Sequence, residues 1–189
     1  TLDARKHLVG QAKSYLRKVA EDAQDEPGLL VDLSRAERRL GDIAGNPSEP
    51  NLGDTPGALR QFERALALAR RAQRAQPGDP EVQDAVAAAL HSVGSWYYWN
   101  DDLATAQKYF DQEIPLIETM RKARPSAAMD RRLGTAIASL GDVYHLQGKV
   151  DEAIACYRRA LALKPSAAKT HSNLLLTLKQ NIETSLQRG

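Results

Sequence analysis

Small and large apolar residues recur every three or four positions along most of the chain, which is the spacing of amphipathic helices. The pattern is clearest between residues 139 and 165, where Leu140 and Tyr157 alternate with the small residues Gly141 and Ala153. Small residues let two helix backbones approach closely, and large residues fill the space that remains between them. This stretch therefore predicts two antiparallel helices joined by a short turn.

A glycine and a proline mark the turn and the end of this helix pair. Gly148 favours the turn, and Pro165 ends the second helix because proline lacks an amide donor and clashes with the preceding turn. Such a pair cannot bury its apolar face alone, so further pairs must stack against it. The pattern favours a scaffold for binding over a catalytic pocket.

The same spacing occurs at two other places in the chain. The run Arg-Ala-Leu-Ala-Leu stands at both 64–68 and 159–163. In the middle of the chain, Gly94 and Ala106 are 12 residues apart, as are Gly141 and Ala153. Three helix-pair repeats are therefore predicted.

The three predicted repeats differ in length. In the first, the equivalent separation is 17 residues instead of 12, which indicates an insertion of five within 45–53. The intervals after the first two turns, 35 and 34 residues, exceed the 21 that follow the third turn. The extra residues amount to about four helical turns, shared between the second helix of one repeat and the first helix of the next. The third repeat ends at normal length.

This organisation predicts an all-α fold, a right-handed superhelix of antiparallel helix pairs with about eight helices. It forms a single domain, 1–189, whose parts are an N-terminal helix at 1–25, repeats at 28–76, 79–124 and 126–164, and a capping helix at 165–187. Pro115 falls inside a predicted helix, where we expect a kink because the apolar pattern continues past it. Leu174, Leu175 and Leu178 are expected to share the packed face of the last helix.

The stretch at 139–165 resembles the tetratricopeptide repeat (TPR), a helix–turn–helix unit with large and small residues at these offsets. A longer pattern, Leu-Gly-Asp-Ile-Ala-Gly-Asn-Pro at 40–47 and Asn-Leu-Gly-Asp-Thr-Pro-Gly-Ala-Leu at 51–59, resembles the C-terminal region of some bacterial serine/threonine protein kinases. Those regions follow a kinase domain, whose own motifs are absent from this sequence. The resemblance implies the sensing or docking part of such a kinase.

The repeat offsets place a mixed set of side chains on or near the concave wall of the predicted superhelix, which suits an extended peptide or a partner helix. These candidate ligand-binding residues are Arg35, Arg38, Asp42, His91, Ser95, Tyr98, Trp99, Asp142, His145, Lys169 and Ser172. For each of them alone, a solvated surface role is the alternative. Some repeat proteins of this family clamp chaperone tails, but Asp42 and Thr135 replace an Asn and a Lys of that clamp.

The run Trp-Tyr-Tyr-Trp at 96–99 holds four of the ten aromatic residues. The offsets make Tyr97 a core position and place Tyr98 and Trp99 on the concave side, where an aromatic side chain with a polar tip can anchor a ligand. The alternative is that the lengthened helices use the aromatic rings as core filler. The sequence leaves both interpretations open.

The net charge and the reactive residue types indicate which partners and which kinds of site to expect. The chain has 26 basic and 24 acidic residues, so its net charge does not indicate nucleic acid or a membrane surface as partner. The strongly basic helix that carries Arg60, Arg64, Arg70, Arg71 and Arg74 is either a phosphate-binding face or, more commonly, a solvated one. Cys156 is the single cysteine, and no histidine pair has metal-ligand spacing. We expect no cofactor, no metal and no enzymatic activity.

The predicted function is protein–protein interaction through the concave groove, with a protein or peptide as partner. The alternative is a self-association module, a homo-oligomer formed through the terminal helices. The chain shows no signal peptide or membrane-spanning stretch, and its first residue is Thr, which suggests a portion of a longer protein. A cytoplasmic location is expected, or an extracytoplasmic one if the chain is attached to a membrane-spanning kinase.

Overall fold

The computed structural model describes residues 2–24, 26–46 and 51–188. Every regular element in these ranges is an α-helix, which confirms the predicted all-α class. Residues 47–50, which belong to the stretch 45–53 where the insertion is predicted, lie outside the described residues. The helices are α1 (Leu2–Asp22), α2 (Pro27–Gly45), α3 (Thr55–Ala75), α4 (Pro80–Trp99), α5 (Leu103–Ala123), α6 (Ala127–Leu146), α7 (Val150–Leu163) and α8 (Ala168–Arg188).

The lengths of the helices follow the lengthening expected from the sequence. Helices α3, α4, α5 and α6 contain 20 or 21 residues each, whereas α7 contains 14. Pro115 lies inside α5, which continues without a break from Leu103 to Ala123. Among the described helices, none has the length and hydropathy that crossing a lipid bilayer requires.

Local signals set the helix ends. The side chains of Asp54, Asp102 and Ser126 accept hydrogen bonds from the amides three residues ahead, at 2.9, 3.0 and 3.2 Å. These caps satisfy amides that have no partner within the helix. Helices α3, α5 and α7 each end two residues before a proline, and Gly148 adopts a φ of 75° in the turn between α6 and α7. All four breaks were expected from the sequence.

The helices form two compact units. Unit 1 comprises the described residues up to Trp99, and unit 2 comprises those from Asn100 onward. The boundary between them falls inside the repeat predicted at 79–124. The division of a single domain into three repeats therefore stays a prediction.

In unit 1, α3 packs against both α2 and α4, α2 also contacts α4, and α1 lies against α2. Helices α2 and α3 run antiparallel, because Gly41 lies against Phe62 while Gly45, further along α2, lies against Thr55 at the start of α3. A Cβ atom placed on Gly41 would be 2.4 Å from Cε1 of Phe62. The ring of Phe62 therefore occupies the space that the missing side chain leaves.

Unit 2 repeats this arrangement. Helix α6 packs against α5 and α7, and α8 packs against α7 and touches α6. A Cβ atom placed on Gly141 would be 2.8 Å from Cε1 of Tyr157, whose side chain is buried. The close approach of two helices at Gly141, expected from the sequence, is confirmed. Ala153 is also fully buried, as its small size predicts.

Helix α8 packs through a face different from the one expected. Thr177 is buried and Leu174 and Leu178 are half-buried, whereas Leu175 is 68% exposed. The expectation that Leu175 shares the packed face is wrong. Leu175 precedes Thr177 by two residues, which is about 200° of rotation around a helix, so the two side chains lie on nearly opposite sides.

Substitution of either contact glycine by alanine is expected to destabilise its unit. Gly41→Ala and Gly141→Ala should each lower the free energy of unfolding by about 1–3 kcal/mol, because the new methyl group overlaps an aromatic ring in a packed core. Gly10→Ala is the matched control, since nothing lies within 4 Å of its Cβ position. Urea denaturation followed by circular dichroism measures the difference. Equal stability of all three variants would contradict the assigned contacts.

Candidate functional site

The candidates in unit 1 lie on α2 and α4, two helices that contact each other. Arg38 Nε donates a hydrogen bond of 3.1 Å to Ser92 Oγ, and Arg35 Nη2 lies 3.5 Å from Glu81 Oε2. Both contacts link α2 to α4. Asp42 is half-buried and accepts a hydrogen bond of 3.0 Å from the side chain of Asn46. The α2–α4 surface is defined by Arg35, Arg38, Asp42, His91, Ser95, Tyr98 and Trp99.

The sequence left open whether the aromatic residues at 96–99 contact a ligand or fill the core, and the structure gives them different environments. Trp96 Nε1 donates a hydrogen bond of 3.0 Å to the carbonyl of Thr55, so this indole fastens α4 to the start of α3. Tyr97, expected in the core, is only half-buried. Trp99 is 51% exposed, with its ring 5.2 Å from that of Tyr98. Trp96 is therefore structural, and ligand contact by Tyr98 and Trp99 stays a prediction.

Asp142 is the centre of a polar cluster in unit 2. Its Oδ1 atom accepts hydrogen bonds from the hydroxyl of Tyr157 at 2.9 Å and from Nδ2 of Asn173 at 2.8 Å. Its Oδ2 atom accepts from Nζ of Lys169 at 2.9 Å. The carboxylate is buried, and three donors from α7 and α8 compensate for its desolvation. Asp142 thus orients its neighbours more than it offers itself to a ligand.

The other candidates of unit 2 lie along α6 and α8. His145 Nδ1 is 3.0 Å from the hydroxyl of Thr177, which also donates to the carbonyl of Asn173 at 2.7 Å. Ser172 is exposed, and its hydroxyl donates to the carbonyl of Ala168 within the same helix. The α6–α8 surface is defined by Asp142, His145, Lys169, Ser172 and Asn173, and Thr177 is buried beneath it.

A cleft of ≈ 280 Å³ opens beside Asp142, between α6 and the start of α8. Two lysines, Lys164 and Lys169, line it together with Asn173 and the small residues Ala138 and Ser139. The cleft thus combines several hydrogen-bond donors with a floor of small side chains. It suits a segment that carries hydrogen-bond acceptors, such as backbone carbonyls or acidic side chains.

Several residues of these surfaces were missed by sequence reasoning. They are Glu81, Ser92, Lys164, Asn173 and Thr177. Lys169 and Asn173 stand four residues apart on one helix, and that spacing was a usable signal because it places both side chains on one face. Ser92 had no such signal, since its role depends on Arg38 of another helix.

The basic helix α3 has a structural role at two of its five arginines. Arg64 Nε donates to Oε1 of Glu37 at 3.1 Å, and Arg71 Nη1 lies 3.4 Å from the carbonyl of Ala20. Glu37 is 1% exposed, and its Oε2 atom has no hydrogen-bond partner among the described residues. Burial raises the pKa of Glu37, and the charge and hydrogen bond of Arg64 counteract that rise. Arg60 and Arg74 are exposed.

The thiol of Cys156 is not activated as a nucleophile. Burial of the half-buried thiol raises its pKa to about 11, so it is protonated at neutral pH. A protonated thiol is a poor nucleophile. Within the described ranges, no group of His, Cys, Asp and Glu side chains has metal-binding geometry.

Comparison with known proteins identifies the repeat. Residues 141–181 match the family model described as a TPR repeat. Protein NCA1 of Arabidopsis thaliana is 25% identical over 118 residues, which cover 61% of this chain. The match spans 28% of the length of NCA1. The α6–α8 surface lies within the stretch that the family model matches.

Solved structures agree on the fold. BtubC (BKLC) from P. vanneervenii has a TM-score of 0.64 at 20% identity, with 99% of this chain and 74% of that chain covered. MamA 41-end from Desulfovibrio magneticus RS-1 has a TM-score of 0.52 at 18% identity, with coverages of 97% and 83%. Identities this low show the fold alone. The chain therefore contains a TPR and has a TPR-like helical fold, the class whose stacked helix pairs serve as interaction scaffolds.

Loss of the Arg64 side chain is expected to destabilise unit 1 in a pH-dependent way. Arg64→Ala leaves the ionised Glu37 buried without its cation, which we expect to lower the free energy of unfolding by about 3 kcal/mol at pH 7. The raised pKa of Glu37 should rise further in this variant, so acidification protonates the carboxyl group and removes the penalty. The deficit should therefore shrink as the pH falls towards 4.

Urea denaturation at both pH values measures the difference in stability between the variant and the wild type. The effects of other titrating groups are common to both proteins and cancel in this difference. Arg60→Ala removes an exposed arginine from the same helix and should change stability little at either pH. A deficit of the same size at pH 7 and pH 4 would refute the assigned role of Glu37.

Trp96 and Trp99 are expected to behave differently when each is replaced by alanine. Trp96→Ala should lower the free energy of unfolding by about 2–4 kcal/mol, because it removes packed ring area and leaves the Thr55 carbonyl without this donor. Trp99→Ala should change it by less than about 1 kcal/mol, because half of that side chain is already in solvent. Thermal denaturation compares the two, and a larger loss in Trp99→Ala would show that Trp99 is core filler.

Proposed function

We propose that this chain is a protein-interaction scaffold that binds a peptide segment or helix of a partner protein through its polar helix surfaces. The cleft beside Asp142 is the observation that carries the proposal. Lys164, Lys169 and Asn173 lie in the stretch matched by the TPR family model, and they place donors around the small-residue floor of the cleft. The α2–α4 surface is a second candidate contact area, with Trp99 as an exposed aromatic anchor.

The arrangement in unit 2 favours binding over chemistry. The carboxylate of Asp142 already accepts three hydrogen bonds from α7 and α8, so it is held as a fixed support for its neighbours. Lys169 is bonded to Asp142, and its side chain is 72% exposed, so a partner can reach it from solvent. We propose that the chain is not an enzyme.

Blocking the cleft provides the test. Peptides are selected from a random displayed library with the purified chain, and their affinities are measured by fluorescence anisotropy. Ser139→Arg should weaken the selected peptides at least about tenfold, because the long side chain fills the cleft next to Asp142. Ser139 is half-buried, and its side chain has no hydrogen bond among the described residues, so stability should change little.

Ala128→Arg is the matched control for this experiment. It adds the same charge to the same helix α6 at an exposed position outside the cleft. Tyr98→Ala and Trp99→Ala report separately on the α2–α4 surface. Peptide affinities that are unchanged in Ser139→Arg and in both aromatic variants would contradict the proposal.

We also propose that the chain is the sensing or docking region of a bacterial serine/threonine kinase. The support is the resemblance of the patterns at 40–47 and 51–59 to such regions. The described part of this segment closes against the end of α2, where the amides of Leu52 and Asp54 donate to the carbonyls of Ile43 and Ala44 at 3.0 and 2.8 Å. Sequencing of the parent gene tests the proposal, and an upstream reading frame without a kinase domain would refute it.

A further inference from the structure

Helix α8 carries two threonines on its packed face and several apolar residues on its solvent side. Its packed face buries Thr170 and Thr177, which are 7% and 0% exposed. Its solvent side carries Leu175, Ile182 and Leu186, which are 68%, 61% and 77% exposed. These three residues lie within about 40° around the helix axis and follow one line along it, termed the α8 stripe. Exposed apolar residues that share one side of a helix indicate an interaction surface.

Charged residues border the α8 stripe on one side. Lys179 and Glu183 are four residues apart and form an exposed ion pair of 3.8 Å within the helix. Residue 181 lies midway between them. The same midpoint separates Leu176, which is 57% exposed, from Leu186. This side of α8 is therefore complementary to itself when a second helix is turned end for end.

We propose that the α8 stripe pairs with the α8 stripe of a second copy of this chain, antiparallel about a two-fold axis that crosses the stripe midway between the levels of Lys179 and Glu183. Each Lys179 then faces Glu183 of the other copy, and each Leu176 faces Leu186. Ile182 lies one residue from the axis, so the two copies of Ile182 contact each other. An isologous interface of this kind places each contact twice, as two-fold symmetry requires.

The charges of Lys179 and Glu183 favour an antiparallel second copy over a parallel pair or a strongly charged partner. A parallel pair would bring Lys179 against Lys179 and Glu183 against Glu183, and like charges in contact are destabilising. A strongly acidic or strongly basic partner would find one favourable and one unfavourable charge beside the stripe. The antiparallel second copy satisfies both charges and covers the apolar line at once. The proposal does not rest on the peptide-binding function proposed above.

Sedimentation equilibrium of the full chain over a range of concentrations tests the pairing. We expect a reversible monomer–dimer equilibrium with a dissociation constant in the micromolar range or weaker, because one helix pair buries less than the roughly 1,200 Å² of stable interfaces. Ile182→Glu should weaken the dimer at least about tenfold, since it places two carboxylates at the axis. Leu8→Glu, at a position 63% exposed on α1, is the matched control and should leave the dimer unchanged.

Charge exchange tests the orientation. Lys179→Glu and Glu183→Lys should each weaken self-association, because like charges then meet across the axis. An equimolar mixture of the two variants should dimerise again, since a chain with two glutamates meets a chain with two lysines. All of these positions are exposed, so circular dichroism is expected to show unchanged helicity. A concentration-independent monomer, a dimer that resists Ile182→Glu, or a mixture that does not recover would each overturn the proposal.

Discussion

The structure depends on the close approach of paired helices at a glycine. Gly41 admits the ring of Phe62 in unit 1, and Gly141 admits the ring of Tyr157 in unit 2, at distances that leave no room for a methyl group. Each ring fixes both the separation and the register of its helix pair, because it fits against the partner helix only at that glycine. The neighbouring helices then stack on a pair whose geometry is already set, as in repeat proteins generally.

The contact at Gly141 also connects the core to the candidate site. The hydroxyl of Tyr157 continues past the packed ring and donates to Asp142, which in turn receives Asn173 and Lys169 from α8. The side chain of Tyr157 thus links the packed core to the wall of the cleft. Unit 1 lacks this connection because Phe62 has no hydroxyl, and Asp42 is instead bonded to Asn46 on its own helix. The two surfaces therefore differ in how firmly their polar groups are held.

Features that depend on contacts between residues close in sequence could be predicted, whereas features that depend on contacts between distant helices could not. Helix ends were predictable because Gly148 and the prolines that follow α3, α5 and α7 act within a few residues of themselves. The burial of Asp142 was not, because its donors come from α7 and α8. Leu175 was assigned to the wrong face because 174–176 is a run of three leucines, which points in three directions around the helix and gives no periodic signal. The exposure of Trp99 next to the anchored Trp96 likewise depended on tertiary contacts.

The position of the cleft relative to the α8 stripe decides whether binding and self-association can coexist. Lys169 and Asn173 stand at the start of α8 and face Asp142 of α6, whereas the stripe begins at Leu175 and lies well over 90° away around the helix axis. The proposed pairing also uses Leu176, which lies only about 20° from Lys169 around the helix axis but about two turns further along, so a second copy would sit beside the lysine and not on it. Such a dimer would present two clefts at a fixed separation, and a partner with two matching segments would bind it with an effective concentration that a monomer cannot offer. Weak individual sites, as expected for shallow polar clefts, gain most from that arrangement.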